Sequence, residues 1–165
     1  MKRNSTPVCA AGLVALTILS LGCQSSPQVR EARYLRRGIT LAAKKEYARA
    51  ILEFRNATNV MPTAAEPFYQ LGLASLASGS SLNGVIALRR AVELDPKHAG
   101  AQLKLAELMS TSRDEDVLCD AAQRLESVLA VSPDNLDATN TLALAEWRLG
   151  RMDDASRRLT ETPFC

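Results

Sequence analysis

The chain of 165 residues offers few side chains for thiol, imidazole or metal chemistry: one histidine, His98, and four cysteines, Cys9, Cys23, Cys119 and Cys165. A catalytic triad needs a nucleophile and a carboxylate beside its histidine, and a histidine-based metal site needs further ligands, so His98 alone indicates neither. The cysteines form no Cys-x-x-Cys pair, the spacing typical of zinc sites and thioredoxin-like couples. We therefore predict no enzymatic activity, no cofactor, no metal and no small-molecule substrate, and we interpret His98 as a solvated loop residue.

Cys23 is the cysteine whose surroundings suit covalent modification. It follows a charged start, Lys2-Arg3, and an apolar stretch over residues 8–21, which is short for a membrane-spanning helix and typical of a signal peptide. The junction Leu-Ser-Leu-Gly-Cys at residues 19–23 resembles the signal of bacterial lipoproteins, although Ser20 stands where that family most often has leucine. The resemblance implies that residues 1–22 are a signal peptide, that cleavage precedes Cys23, and that the thiol carries a diacylglyceryl thioether.

The same resemblance implies a location. In Gram-negative lipoproteins an aspartate after the modified cysteine often means retention in the inner membrane, and here that residue is Gln24. The analogy predicts an exported protein that is lipid-anchored in the outer membrane and faces the periplasm. Residues 23–30, rich in Gln, Ser and Pro, are interpreted as the lipidated cysteine and a flexible tether. An ordinary secretory signal and an uncleaved short anchor remain as alternatives.

Composition and charge restrict the remaining possibilities. The chain is 47% hydrophobic but only 4% aromatic, which favours thin, closely packed helices over sheets. The formal net charge of +2 comes from Lys2 and Arg3, because residues 23–165 contain 18 basic and 18 acidic side chains (20 − 2 and 18 − 0). A neutral sum predicts neither a nucleic-acid surface nor a basic face for anionic lipid.

A fixed spacing recurs through the middle of the chain. It relates Gly38 to Gly72, Ala57 to Ala91, and Pro62 to Pro96 (72 − 38 = 91 − 57 = 96 − 62 = 34). A helix-turn-helix unit that stacks on copies of itself requires equivalent residues at a fixed spacing, because each copy buries the same face against its neighbour.

The repeated positions resemble tetratricopeptide repeats, in which small residues let two helices cross closely and a proline ends the second helix. The resemblance implies an all-α, right-handed α-solenoid of about four helix-turn-helix units after the signal peptide. The units are repeat 1 (31–64), repeat 2 (65–98), repeat 3 (99–135, with a three-residue insertion) and repeat 4 (136–165, degenerate or truncated). We expect helices near 31–44, 47–60, 65–78, 81–95, 99–111, 115–132, 136–149 and 152–162. Beside the insertion, Ser112 or Asp114 suits the N-cap of the following helix.

The resemblance also implies a concave groove lined by the first helix of each repeat. Carried over to this sequence, its candidate polar and aromatic residues are Arg36, Tyr69, Gln70, Lys104, Asn140, Trp147 and Arg148. Such a groove fits a peptide or a helix of a protein partner. Trp147 and Tyr69 are either anchors of that interface or packing residues of their own repeats. We predict a membrane-anchored interaction scaffold of the bacterial cell envelope.

The end of the array raises an alternative function. Repeat 4 leaves no room for the extra helix that usually closes such an array. Its outer face, around Leu159 and Phe164, is therefore partly exposed or covered by a partner, and a truncated gene model is a third interpretation. A structural assembly factor, pilotin-like or a subunit of an export complex, would associate through this uncapped repeat. Cys119 and Cys165 would meet an oxidising compartment, where pairing is allowed, but their separation in the array favours buried or free thiols.

Overall fold

The computed structural model describes residues 26–161, and this part of the chain forms eight α-helices without strands. They are α1 (Pro27–Ala43), α2 (Tyr47–Val60), α3 (Ala65–Ala77), α4 (Ser81–Leu94), α5 (Ala99–Met109), α6 (Glu115–Val131), α7 (Leu136–Arg148) and α8 (Met152–Glu161). Each helix packs chiefly on its neighbours along the chain, and α1 also contacts α3 as α5 contacts α7. The predicted all-α solenoid of four helical hairpins is confirmed.

The predicted helix bounds agree with the structure to within two residues, except at the start of α1. This helix begins at Pro27, because the Ser26 hydroxyl accepts the Val29 N–H at 3.3 Å and proline suits the first turn. The prediction of a tether over residues 23–30 is therefore wrong from Pro27 onward. The predicted signal peptide (1–22), Cys23, Phe164 and Cys165 lie outside the described residues. Among residues 26–161, no helix has the length and apolarity needed to cross a bilayer.

Small residues sit where the two helices of a hairpin cross. Gly38 and Gly72 are buried, as are Ala106 and Ala143 at the equivalent positions of repeats 3 and 4. A Cβ added to Gly38 would lie 2.4 Å from Cε1 of Phe54. The repeated small residue therefore allows α1 and α2 to approach closely.

The second hairpin repeats this arrangement with a smaller partner. A Cβ added to Gly72 would lie 2.7 Å from Cγ of Leu88 and 3.2 Å from the carbonyl oxygen of Gly84. Phe54 follows Gly38 at the same spacing at which Leu88 follows Gly72, and both large side chains are fully buried. The two hairpins thus pack in the same way. This shared packing is the physical reason for the repeated spacing.

The insertion in repeat 3 enters at the start of its second helix. α6 has 17 residues, whereas α2 and α4 have 14 each. The Asp114 carboxylate caps α6 by accepting the N–H groups of Asp116 (3.0 Å) and Val117 (3.5 Å). Ser112 instead accepts the N–H of Asp114 at 3.0 Å. Of the two predicted caps, the structure selects Asp114.

Loss of this cap has a measurable cost. We expect Asp114→Ala to lower the free energy of unfolding by about 1 kcal/mol, because two N–H groups at the start of α6 lose their acceptor. Asp114→Asn keeps an oxygen in the same place and is expected to lose a few tenths at most. Urea unfolding followed by circular dichroism measures both variants. Equal losses for alanine and asparagine would contradict the capping role.

Candidate functional site

The seven candidate groove residues lie on first helices, but they do not form one continuous site. Tyr69 and Gln70 on α3 and Lys104 on α5 are half-buried, whereas the other four are exposed. The structure divides the set into a central patch, a depression at the N-terminal hairpin, and a depression at the C-terminal hairpin. Each has its own chemistry.

The central patch lies where α3 faces the start of α5. It consists of Glu66, Tyr69, Gln70, His98, Lys104 and Glu107. The Gln70 amide donates to the Glu66 carboxylate at 2.8 Å, and Lys104 forms an ion pair with Glu107. The patch thus offers an amide, an ammonium group and carboxylates, each held by a neighbour within reach of solvent. The backbone or a polar side chain of a bound peptide could replace these intramolecular contacts.

His98 belongs to this patch, and its interpretation as a solvated loop residue is wrong. Its side chain is only 15% exposed and caps α5, because Nδ1 accepts the Ala101 N–H at 3.1 Å. The Nε2 atom lies 3.0 Å from the Glu66 carboxylate. A neutral imidazole with its hydrogen on Nε2 satisfies both contacts. His98 therefore ties the start of repeat 3 to the start of repeat 2.

Tyr69 combines a packing role with a polar one. Its ring lies 4.7 Å from the His98 ring between centroids, and a Cβ on Gly100 would fall 2.8 Å from its hydroxyl end. Burial, and secondarily the Glu66 carboxylate, raise the pKa of the Tyr69 phenol above its usual value, while the Lys104 charge acts in the opposite direction. The phenol therefore remains a hydrogen-bond donor at neutral and mildly alkaline pH.

Arg36 lies apart from the central patch. It lines a depression of about 460 Å³ between α1 and α2, which we call the N-terminal depression. The other lining residues are Arg37, Thr40, Leu41, Arg49 and Glu53. One oxygen of Glu53 is buried there without a hydrogen-bond partner. Arginine side chains thus dominate this depression.

Trp147 and Asn140 line a depression of about 590 Å³ between α7 and α8, which we call the terminal depression. Its walls are mostly apolar and include Leu144, Met152 and Leu159. Trp147 is 54% exposed, so much of its ring remains available for a contact. Leu159, which the sequence analysis placed on the outer face of repeat 4, lines the same depression as Trp147, whereas Phe164 lies outside the described residues.

Arg148 makes a contact that its predicted groove position does not suggest. Its Nη1 donates to the carbonyl oxygens of Ser112 at 3.2 Å and Thr111 at 3.4 Å. These carbonyls belong to the α5–α6 turn, which precedes the insertion at the start of α6. Arg148 therefore links the end of α7 to the α5–α6 turn.

Sequence reasoning missed a depression of about 610 Å³ on the side of α4 and α6. Its lining includes apolar Val92, Met109 and Val117 together with Arg89 and Arg124. The Nε atom of Arg124 is buried without a partner, although its Nη1 and Nη2 atoms donate to Gln102 and Asp120. The nearest signal for this depression in the sequence is the polar run over residues 110–116, whose residues 111 and 112 contribute to its rim.

The remaining chemistry-bearing residues form no further cluster within the described part of the chain. Cys119 is exposed and free, with Nη2 of Arg151 at 4.0 Å from its sulfur. No group of three His, Cys, Asp or Glu side chains among the described residues could hold a metal ion. The pairing of Cys119 with Cys165 stays untested, because Cys165 lies outside the described residues.

Comparison with known proteins gives a family and a fold. The family model described as the cytochrome c-type biogenesis protein H TPR domain matches residues 23–162. A peroxisomal targeting signal receptor of Komagataella phaffii is 37% identical over 78 residues, which are 47% of this chain and 13% of that protein. The chain thus spans a small part of that receptor's length.

Solved structures agree with the helical repeat fold. MamA of Desulfovibrio magneticus RS-1 superimposes with a TM-score of 0.70 at 18% identity, covering 81% of this chain and 73% of that one. YrrB, a TPR protein with an unusual peptide-binding site, gives a TM-score of 0.66 at 20% identity, covering 80% of this chain and 66% of that one. At these identities the likeness shows the fold alone.

Proposed function

The chain belongs to the family of the cytochrome c-type biogenesis protein H TPR domain, and from that membership we propose that it is a non-catalytic scaffold of the cell envelope. TPR folds are protein-interaction modules, and the groove of this chain binds one segment of a partner protein. The supporting observation is the central patch. Its polar side chains remain half-exposed on α3 and α5 while Gly72 and Ala106 of the same helices are buried.

The central patch suits an extended peptide or a partner helix with polar groups. The Tyr69 phenol donates a hydrogen bond, the Gln70 amide donates and accepts, and the Lys104 ammonium attracts carboxylates and carbonyl oxygens. The contacts that hold Gln70 and Tyr69 limit their rotamer freedom before binding, so less side-chain entropy is lost when a partner arrives. The groove therefore presents its binding side chains in a fixed arrangement before the partner binds.

Membrane attachment through Cys23 is the second part of the proposal. It is supported by the lipoprotein-like junction at residues 19–23 and by the position of Pro27, where the fold begins four residues after the cysteine. Two acyl signals on Cys23, a diacylglyceryl thioether and an N-acyl chain, give stable anchoring. Radioactive palmitate is expected to label the wild-type chain and not Cys23→Ser. Labelling of both would refute the anchor.

The groove proposal is tested with variants that separate the two ends of the array. We expect Lys104→Ala combined with Tyr69→Phe to weaken partner capture about tenfold, because a charged and a neutral hydrogen bond are lost. Tyr69→Phe keeps the ring that packs against His98 and Gly100. Crosslinking in the native envelope identifies the partner, and titration with the purified partner gives the affinity.

The matched control is Leu82→Ala on α4, whose side chain is 73% exposed and lies outside the groove. Its affinity and unfolding midpoint are expected to match the wild type. Undiminished capture by the Lys104 and Tyr69 variant, at an unchanged unfolding midpoint, would rule out the groove as the binding surface.

A structural assembly factor is the second candidate function, and the terminal depression favours it. Exposed Trp147, Leu144 and Met152 create an apolar face at the end of the array, and such faces are typical of protein contacts. This function predicts that Met152→Ser abolishes concentration-dependent association in light scattering. The scaffold function predicts that Met152→Ser leaves capture by the central patch unchanged, so one variant distinguishes the two.

A further inference from the structure

We propose that the first hairpin docks on an anionic bilayer surface through a row of basic side chains along α1. The near-zero charge of the chain conceals a strong asymmetry. Residues 27–60 contain 8 basic and 3 acidic side chains (8 − 3 = +5), whereas residues 61–161 contain 10 and 15 (10 − 15 = −5). The sequence-based expectation that there is no basic face considered only the summed charge and not its distribution along the chain.

The basic residues of α1 lie on one face. Arg30, Arg37 and Lys44 follow each other at intervals of seven residues, and Arg33 lies between the first two. This spacing places Arg30, Arg33 and Arg37 on one side of α1, which is about 25 Å long, and Lys44 continues the row at its C-cap. All four are exposed, and none has an ion-pair partner among the described residues. We call this row the basic stripe.

The N-terminal depression extends the basic stripe toward α2. Arg36, Arg37 and Arg49 line it together with a single carboxylate, Glu53. Within the described part of the chain, Arg49 is the one basic residue of the hairpin with an ion-pair partner, Glu46. Guanidinium groups bind phosphate oxygens in a bidentate geometry. A depression of about 460 Å³ with three arginines can therefore receive the phosphate of a lipid headgroup.

Position and charge favour a bilayer over other anionic partners. α1 begins four residues after Cys23, so an extended chain holds it within about 14 Å of that residue. This step rests on the proposed membrane attachment. The acidic remainder of the molecule is repelled by the same surface, which orients the solenoid with its first hairpin on the membrane and the later repeats away from it. The stripe carries no exposed aromatic ring on which nucleic-acid bases stack, because Tyr34 and Tyr47 are half-buried.

Vesicle binding of an unlipidated chain tests the basic stripe independently of Cys23. Residues 24–165 contain every described helix and both core clusters, around Phe54 and around Leu125. We expect this chain to co-sediment at low salt with vesicles in which about one third of the phosphatidylcholine is replaced by phosphatidylglycerol, and not with pure phosphatidylcholine. Arg33→Glu with Arg37→Glu is expected to lower the partition coefficient roughly tenfold or more.

The matched control is Arg89→Glu with Arg113→Glu, which changes the net charge equally with exposed residues of later repeats. It is expected to retain at least half of the wild-type partition, with both double variants unfolding cooperatively at the wild-type midpoint. The proposal would be overturned by equal losses of vesicle partition in the two double variants. It would also be overturned if the chain did not bind anionic vesicles, or if it bound only DNA or polyglutamate. Palmitate labelling of Cys23 tests the lipid anchor separately. Failure of the anchor therefore does not imply failure of the basic stripe, and the reverse also holds.

Discussion

Replacing Phe54 with alanine is expected to lower the free energy of unfolding by about 3–5 kcal/mol, the largest effect of any variant considered. The ring is fully buried and fills the space left by Gly38 on the facing helix. Alanine would leave a cavity there, and α1 and α2 cannot close it without moving the crossing that Gly38 defines. Urea unfolding followed by circular dichroism measures the loss.

Two further variants separate a cavity from a general loss of apolar surface. Phe54→Leu places in repeat 1 the residue that repeat 2 has at the same position, Leu88, and is expected to cost at most about 1.5 kcal/mol. Leu52→Ala on the same helix removes a side chain that is 60% exposed. Its effect on stability is expected to stay below about 0.5 kcal/mol, as is usual for surface substitutions. A cost for Phe54→Leu as large as that for alanine would contradict the packing model.

The location of the loss is a second test of the same variant. In stacked repeats stability is close to a sum of repeat and interface contributions. Phe54, Ala50 and Ala74 form a core cluster with α1–α3, separate from the cluster of α5–α7 around Leu125 and Leu142. Hydrogen exchange in Phe54→Ala should therefore accelerate in α1 and α2 far more than in α6 and α7.

Helices and buried crossings could be predicted from the sequence because they depend on a local template. Gly38 and Gly72 recur at the repeat length, and their partners Phe54 and Leu88 recur with them. A single spacing thus fixes both sides of each contact. The start of α1 escaped prediction because it depends on a cap, Ser26, that lies outside the repeat.

The candidate site was only partly predictable, because its contacts join residues that no repeat rule relates. His98 reaches Glu66 across 32 residues, and Arg148 reaches the carbonyl of Ser112 across 36. The family groove positions include Tyr69, Gln70 and Lys104, which lie in the central patch. They did not indicate that Arg148 would contact the α5–α6 turn, since no rule of the repeat relates these two parts of the chain.

The charge asymmetry between the first hairpin and the later repeats is present in the sequence, but a net charge summed over the whole chain hides it. Counting the charges of repeat 1 alone, residues 31–64, would have given 7 basic and 3 acidic side chains (7 − 3 = +4). What the sequence could not supply is the exposure of these side chains and their lack of ion-pair partners, which depends on where α2 packs. Arg49 pairs with Glu46, whereas Arg33 and Arg37 remain unpaired among the described residues.

Replacing Arg158 with alanine is the second large effect, expected at about 2–3 kcal/mol of unfolding free energy. Its Nε donates to both carboxylate oxygens of Glu146, at 2.9 and 3.0 Å, and Glu146 is only 4% exposed. Removing one partner of a buried ion pair costs about 3–5 kcal/mol, because a charge is left without compensation. The expected loss is smaller here because the Arg158 side chain is 31% exposed and water can reach the site.

Controls for this variant lie in the same helix and the same pair. Arg157→Ala breaks an exposed pair with Asp154. Its expected cost is below about 0.5 kcal/mol, because water screens exposed ion pairs. Glu146→Leu with Arg158→Leu removes both charges and is expected to recover most of the stability, since apolar replacements of a buried pair are often neutral. Equal losses for Arg157→Ala and Arg158→Ala would argue against a special role of the pair.

The pair also connects stability to function at the end of the array. Arg158 is on α8, Glu146 is on α7, and Trp147 follows Glu146 and lines the terminal depression between these two helices. Fluorescence of Trp147, the only tryptophan, should therefore report the release of α8 in Arg158→Ala at lower urea than circular dichroism reports global unfolding. If the terminal depression is an association surface, the same variant abolishes association while capture by the central patch on α3 and α5 persists.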